Sequence, residues 1–387
     1  MALRATKPVI NVGQKLAELD RPVGNHGSQL MNSASCADSF NLVQAGRKNM
    51  IINGGMNINQ RNGGSSYVVP NATGGSYGGP DRWAVNEATG GQVSVNMDGD
   101  PLNYPQVSHF SKAFQIACAG SDTSMGSTEN THFFQNIEGY NTVHLGWGAP
   151  EAKPVTLSFW VKTNQTGVYC VGLENNATNR CCIKEFYHDG SHTWQKFALT
   201  YPGCPDGTWE KTNGCGIRVR FCLASGDTYD DGKDGQWVTS DELVIGSSQT
   251  NFMDSTNNRF FITGVQLEEG MEATPFEVRS YYEELSLCQR YYIKDTRTRG
   301  NGGTSVVTSS LDSIAGVDVD FPVTMRTSPS LAFLGTTYRN GGNSDAQVIT
   351  DTGFTWGRKR TGAGGGAGSY EAIAAYIIGG YTATSEL

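Results

Sequence analysis

Charged side chains are scarce in this 387-residue chain: they make up 17%, with 29 Lys and Arg against 37 Asp and Glu, for a formal charge of −8. Phosphate backbones and anionic lipid surfaces are gripped by clustered cations, so no nucleic acid partner is expected. Long hydrophobic runs are also missing. The start, MALRATKPVI, has no apolar core of secretory length, and AIAAYIIGGY at 372–381 is about half a membrane span. No membrane insertion is expected, and synthesis in a reducing cytosol is. The nine cysteines (36, 118, 170, 181, 182, 204, 215, 222, 288) are odd in number and contain no Cys-x-x-Cys pair. Cys181 and Cys182, being adjacent, point to opposite faces of a strand. No metal site is therefore expected, and the thiols are expected to be free and buried. The sequons at Asn71, Asn164 and Asn176 carry little meaning without a signal peptide.

Catalytic signatures are absent too. There is no G-x-x-x-x-G-K-[ST] loop, no G-x-S-x-G elbow and no H-E-x-x-H helix. Glu268 and Glu269 are adjacent, and on a strand they face opposite sides, so they cannot flank one glycosidic bond. Glu283 and Glu284 meet the same objection on a helix, where neighbours stand about 100° apart. His188 and His192 have metal-ligand spacing, but Asp189, Gly190 and Ser191 between them read as a hairpin turn. No enzymatic activity and no cofactor are expected.

Glycine is abundant, at 49 residues, about twice its usual share, and points to turns rather than helices. Residues 1–48 show no strong period-2 patterning and read as an arm. From AGRKNMIINGG onward, short apolar runs are punctuated by Gly, Asn and Pro as in β-sandwiches. VTLSFWVKT places Val155, Leu157, Phe159 and Val161 on one face, and GIRVRFCL does the same with Ile217, Val219, Phe221 and Leu223. Both read as half-buried strands. Their other faces carry Trp160 and Lys162, and Arg218 and Arg220. An aromatic ring beside guanidinium groups can stack on a sugar and hydrogen-bond its hydroxyls or carboxylates. A glycan site is therefore expected on a face bearing Trp160, Arg218 and Arg220, with Trp194 and Trp237 as neighbours, unless a covering layer or another subunit buries that face. SYYEELSLCQRYY predicts a short connecting helix. SLAFLG, AQVITDTGFTW and YEAIAAYII, separated by Gly-rich turns such as TGAGGGAG at 361–368, predict a smaller second β domain.

Taken in order, GRKNMIINGGMNINQR (46–61), GGPDRWAV (78–85), PVTLSFWVK (154–162), HTWQKFALTY (192–201), GIRVRFCLASG (216–226), FFITGVQLEEGMEATPFEVRSYYEELSLCQRYY (260–292) and FPVTMRTSPSL (321–331) resemble bacteriophage tail-fibre-like virion proteins with a carbohydrate-binding-module-like jelly roll. The resemblance spans about residues 46–335. Together with the composition and patterning, it gives an expected all-β chain: a jelly-roll sandwich (49–279), a connector helix (280–292) and a C-terminal β domain (293–387), preceded by residues 1–48, which the resemblance barely reaches and which are expected to be a virion-anchoring arm. The resemblance implies an oligomeric, commonly trimeric, fibre component of the virion, of a kind some of whose members recognise host-surface glycans. A homotrimer is expected, with residues 1–48 contacting other virion proteins and the β domains turned toward host-surface glycans. A capsid-bound fibre or decoration protein is the alternative, and a polysaccharide depolymerase lacks a carboxylate arrangement to support it. Modules of this shape often carry a structural calcium near their first and last strands. INGGMNINQ lacks the acidic ligand such a site uses.

Overall fold

The period-2 runs at Val155–Thr163 and Cys215–Ser225 become interior strands of two facing sheets. The computed structural model describes residues 47–98, 107–297, 299–301, 314–334, 336–339, 345–359, 374–378 and 380–387. Nearly all of the expected arm and the 361–368 turn lie outside the described residues. In chain order the first strands are β1 (Tyr67–Val68), β2 (Ala72–Ser76), β3 (Ala84–Ala88), β4 (Gln92–Asp98), β5 (Ala113–Gly120), β6 (Asn130–Glu138) and β7 (Val155–Thr163). They are followed by β8 (Thr166–Glu174), β9 (Cys181–Asp189), β10 (Gln195–Tyr201), β11 (Cys215–Ser225), β12 (Trp237–Val238) and β13 (Arg259–Glu269).

These strands form a jelly-roll sandwich. One sheet runs β1-β4-β5-β13-β7-β10 and the other β12-β9-β8-β11-β6-β3-β2. Val155, Leu157, Phe159 and Val161 of β7 face Ile217, Val219, Phe221 and Leu223 of β11 in one buried cluster. Phe221 sits at its centre, stacked on Phe133 at 4.8 Å and edge-on to Phe159 at 5.1 Å. Alternation set these faces, since a slip of one residue would turn every apolar side chain outward.

The two long strands are not half-buried as their pattern suggests, because loops cover much of their outer faces as well. On the seven-stranded sheet, Leu243 and Val244 pack over Cys170, Cys181, Ile183 and Cys222. On the six-stranded sheet, Val107, Phe110 and Phe276 pack near Trp160, Trp194 and Phe261. The eight described cysteines are all buried and free.

β13, the last strand of the sandwich, is inserted between β5 and β7. Its pairing with β7 slips between Thr263 and Gln266. Gly264 makes that bulge possible: its φ is +64°, and a Cβ there would come within 2.5 Å of the Phe110 ring. Asn49 ties the first segment to β13, accepting from the Ile51 and Leu267 amides and donating to the Val265 carbonyl at 3.0 to 3.1 Å. Among the described residues no group of three or more His, Cys, Asp or Glu could hold a metal ion.

Helix α1 (Tyr281–Gln289) follows, with the Ser280 hydroxyl capping the Glu283 amide. Beyond it come β14 (Tyr292–Asp295), β15 (Arg299–Asn301), β16 (Ile314–Asp320), β17 (Ser330–Phe333), β18 (Thr336–Arg339), β19 (Asp345–Ile349), β20 (Gly353–Lys359), β21 (Ala374–Ile378) and β22 (Tyr381–Thr384). They pair into three small sheets, and Ile293, Val319, Phe321, Met325, Phe354, Tyr381 and Ala383 form a core separate from that of the sandwich. The last residues return to the sandwich. Glu386 pairs with Arg61 and with the fully buried Arg82, and Asn136 donates to the Leu387 carbonyl. Among the described residues no helix is long and apolar enough to cross a membrane.

Candidate functional site

The outer face of the six-stranded sheet is built by alternation. With Leu157, Phe159 and Val161 committed to the core, Ser158, Trp160 and Lys162 of β7 must point the other way. The ladder then places Lys196 of β10 on one side of Trp160 and Thr263 of β13 on the other. Two loops rise over this face, and Phe110 and Phe276 meet edge-on between them at 5.0 Å. They leave a groove of about 350 Å³, open to solvent. Trp160, Ser158, Lys196, His109, Thr274 and Phe276 line it. Trp160 is partly exposed, and one apolar ring with hydroxyls, an amine and an imidazole around it suits a sugar ring, which presents a C–H face and a hydroxyl rim.

The floor beside the groove is held by groups that have other work. Lys162 is 2% exposed, with its Nζ 4.2 Å from the Phe261 ring centre and 5.7 Å from that of Trp194. Burial pushes its ammonium down to about 8, against the opposing pull of Asp98. Glu268 accepts from the Thr274 amide and hydroxyl and from Gln266 Nε2, fixing the loop that carries Phe276. Glu269 instead pairs with Lys153 at 2.9 Å. Adjacent in sequence, the two glutamates serve different neighbours.

Of the residues singled out in the sequence, the fold brings Trp160 and Trp194 into one cluster, with Trp194 buried and Trp160 at the surface. Arg218 and Arg220 are elsewhere. They lie on β11, whose outer face is on the far side of the sandwich, so the single face expected to bear Trp160, Arg218 and Arg220 does not exist. Alternation fixes which side of its own strand a residue occupies, and β7 and β11 belong to different sheets. There the two arginines hold Glu174, each at 2.7 Å, and Arg220 also reaches Asp241 at 2.6 Å. Burial pushes the Glu174 carboxyl up, and the two guanidinium groups pull it back.

Trp237 belongs to a third place. Its ring meets Trp147 and Trp209 edge-on at 5.2 and 5.5 Å, and all three indole N–H groups donate to backbone carbonyls, of Pro202, Lys153 and Asp206. Satisfied and interlocked, this trio is a corner of the core. His188 is likewise spoken for. It is buried at the end of β9, with Nδ1 accepting from the Gly190 amide at 3.0 Å and Nε2 at 3.2 Å from the Thr193 carbonyl.

Lys196, His109, Thr274 and Phe276 were missed by sequence reasoning. Lys196 had a legible signal: in QKFALTY, Phe197, Leu199 and Tyr201 alternate inward, so Lys196 must face outward. Its position beside Trp160 depends on the β7–β10 pairing, which the pattern alone does not specify.

No protein-family model matches the chain, and no curated protein matches it in sequence. Among solved structures, the enzymatically active domain of bacteriophage CBA120 tailspike protein 4 is similar at 14% identity and TM-score 0.30, over 57% of this chain and 21% of that one. A structure described as CBM4 is similar at 17% identity and TM-score 0.28, over 56% and 98%. A family 11 carbohydrate-binding module from Clostridium thermocellum, in complex with a mixed-linked tetrasaccharide, is similar at 10% identity and TM-score 0.26, over 54% and 98%. Likeness at this level carries no function across.

Proposed function

We propose that the chain is a non-enzymatic saccharide-binding protein of a phage virion, which holds a host-surface glycan in the groove at Trp160. The observation that carries the binding role is the groove itself: a solvent-open space of about 350 Å³ whose floor is a partly exposed indole among polar side chains. A ring stacked on Trp160 would bury its C–H face there, while Ser158, Thr274 and His109 exchange hydrogen bonds with its hydroxyls. One such site is weak, and several copies on a particle would supply avidity. The virion role rests on the ordered run of tail-fibre-like phrases from residue 46 to about 335. The anchoring arm at 1–48 and a homotrimer belong to the same proposal, and mass by light scattering tests the trimer.

The binding role is tested on a glycan array with the full chain and its Trp160→Ala variant. Wild-type signal on defined saccharides, reduced at least tenfold in the variant, supports the reading. Equal signal from both proteins removes the groove as the site.

A further inference from the structure

We infer that the saccharide taken by this groove is an acidic one, bearing a carboxylate or a sulfate, and that Lys196 selects it. This rests on the saccharide-binding reading and adds the class of sugar. Lys196 is the register partner of Trp160, and cross-strand partners on one face stand about 5 Å apart at Cβ. A ring stacked on the indole therefore carries its substituents past the lysine. Lys196 is exposed, and its ammonium has no ion-pair or hydrogen-bond partner among the described residues.

The charges nearby sharpen the point. Among the groove's described lining residues Lys196 is the one lysine or arginine, and none is an aspartate or glutamate. The acids close by are engaged or turned away: Glu268 accepts from Gln266 and Thr274, Glu277 pairs with Arg279, Asp98 acts on the buried Lys162, and the exposed Glu272 does not line the groove. In a chain of formal charge −8, this is a local inversion of sign. An uncharged sugar gains little from a hydrated ammonium beside it, whereas an anion pairs with it in a site that the ligand itself partly closes to water.

The test is calorimetric titration of the full chain with matched pairs: a galacturonate tetramer and its methyl ester, and a sulfated galactan tetramer and its desulfated form, with a neutral β-glucan tetramer alongside. At least one acidic member is expected to bind about tenfold tighter than its uncharged partner. The pair showing the preference identifies carboxylate or sulfate as the group read. The preference is expected to shrink at high salt, to vanish in Lys196→Met and to survive in Lys196→Arg. Equal binding within both pairs, or an undiminished preference in Lys196→Met, overturns the acidic-sugar inference. Binding of the neutral glucan alone does the same and leaves the saccharide site standing. Binding of none of the five overturns both.

Discussion

Trp160 and Arg218 lie on opposite outer faces of the sandwich, one on β7 and one on β11, with the full core between them. Two residues that looked like halves of one site are therefore separable by mutation. Arg220→Ala, which leaves the buried Glu174 with one partner fewer, is expected to cost about 3–5 kcal/mol in urea unfolding and to leave saccharide affinity unchanged. A loss of affinity without loss of stability would contradict the assignment.

The Trp147–Trp209–Trp237 corner gives a second separation. Trp209→Ala removes a ring that is 7% exposed and packed against two others, and is expected to cost about 3–5 kcal/mol without changing glycan binding. Thermal unfolding and the same array check both halves.

Gly264 joins fold to groove. Gly264→Ala would place a methyl group against Phe110 in a backbone conformation that favours glycine, and is expected to cost about 1–3 kcal/mol. Phe110 must move to admit it, so weaker saccharide binding is expected alongside the lower melting temperature.

Lys162 sets a pH dependence whose sign can be worked out. Burial lowers its ammonium from 10.5 when unfolded to about 8 in the fold. Below pH 8 both states are protonated and the cost of burying the charge is fully present. Between pH 8 and 10.5 the unfolded chain still holds the proton that the folded one has released, so this group's contribution becomes more favourable as pH rises. The stability of wild type relative to Lys162→Met is expected to rise across that window, as measured by urea unfolding at a series of pH values. A flat difference would contradict the burial argument.

How much of this was legible depended on range. Alternation showed which residues of β7 and β11 face the core, and the Ser280-capped segment at 281–289 showed its helix, because both signals lie within a few residues of each other. The sheet to which each strand belongs is set by pairings between distant segments, and so Arg218 was joined to the wrong face. The covering loops were equally hidden. Phe276 in ATPFE reads as part of a turn, and it is brought over the sheet by Glu268 holding Thr274 and by Gln266 accepting from the Glu277 amide.

The most direct test follows the seven indole N–H resonances by NMR during titration with a saccharide that the glycan array shows to bind. Saturable shifts at Trp160, with Trp147, Trp209 and Trp237 unmoved, are the predicted result. Shifts at that trio with Trp160 unchanged would contradict the account.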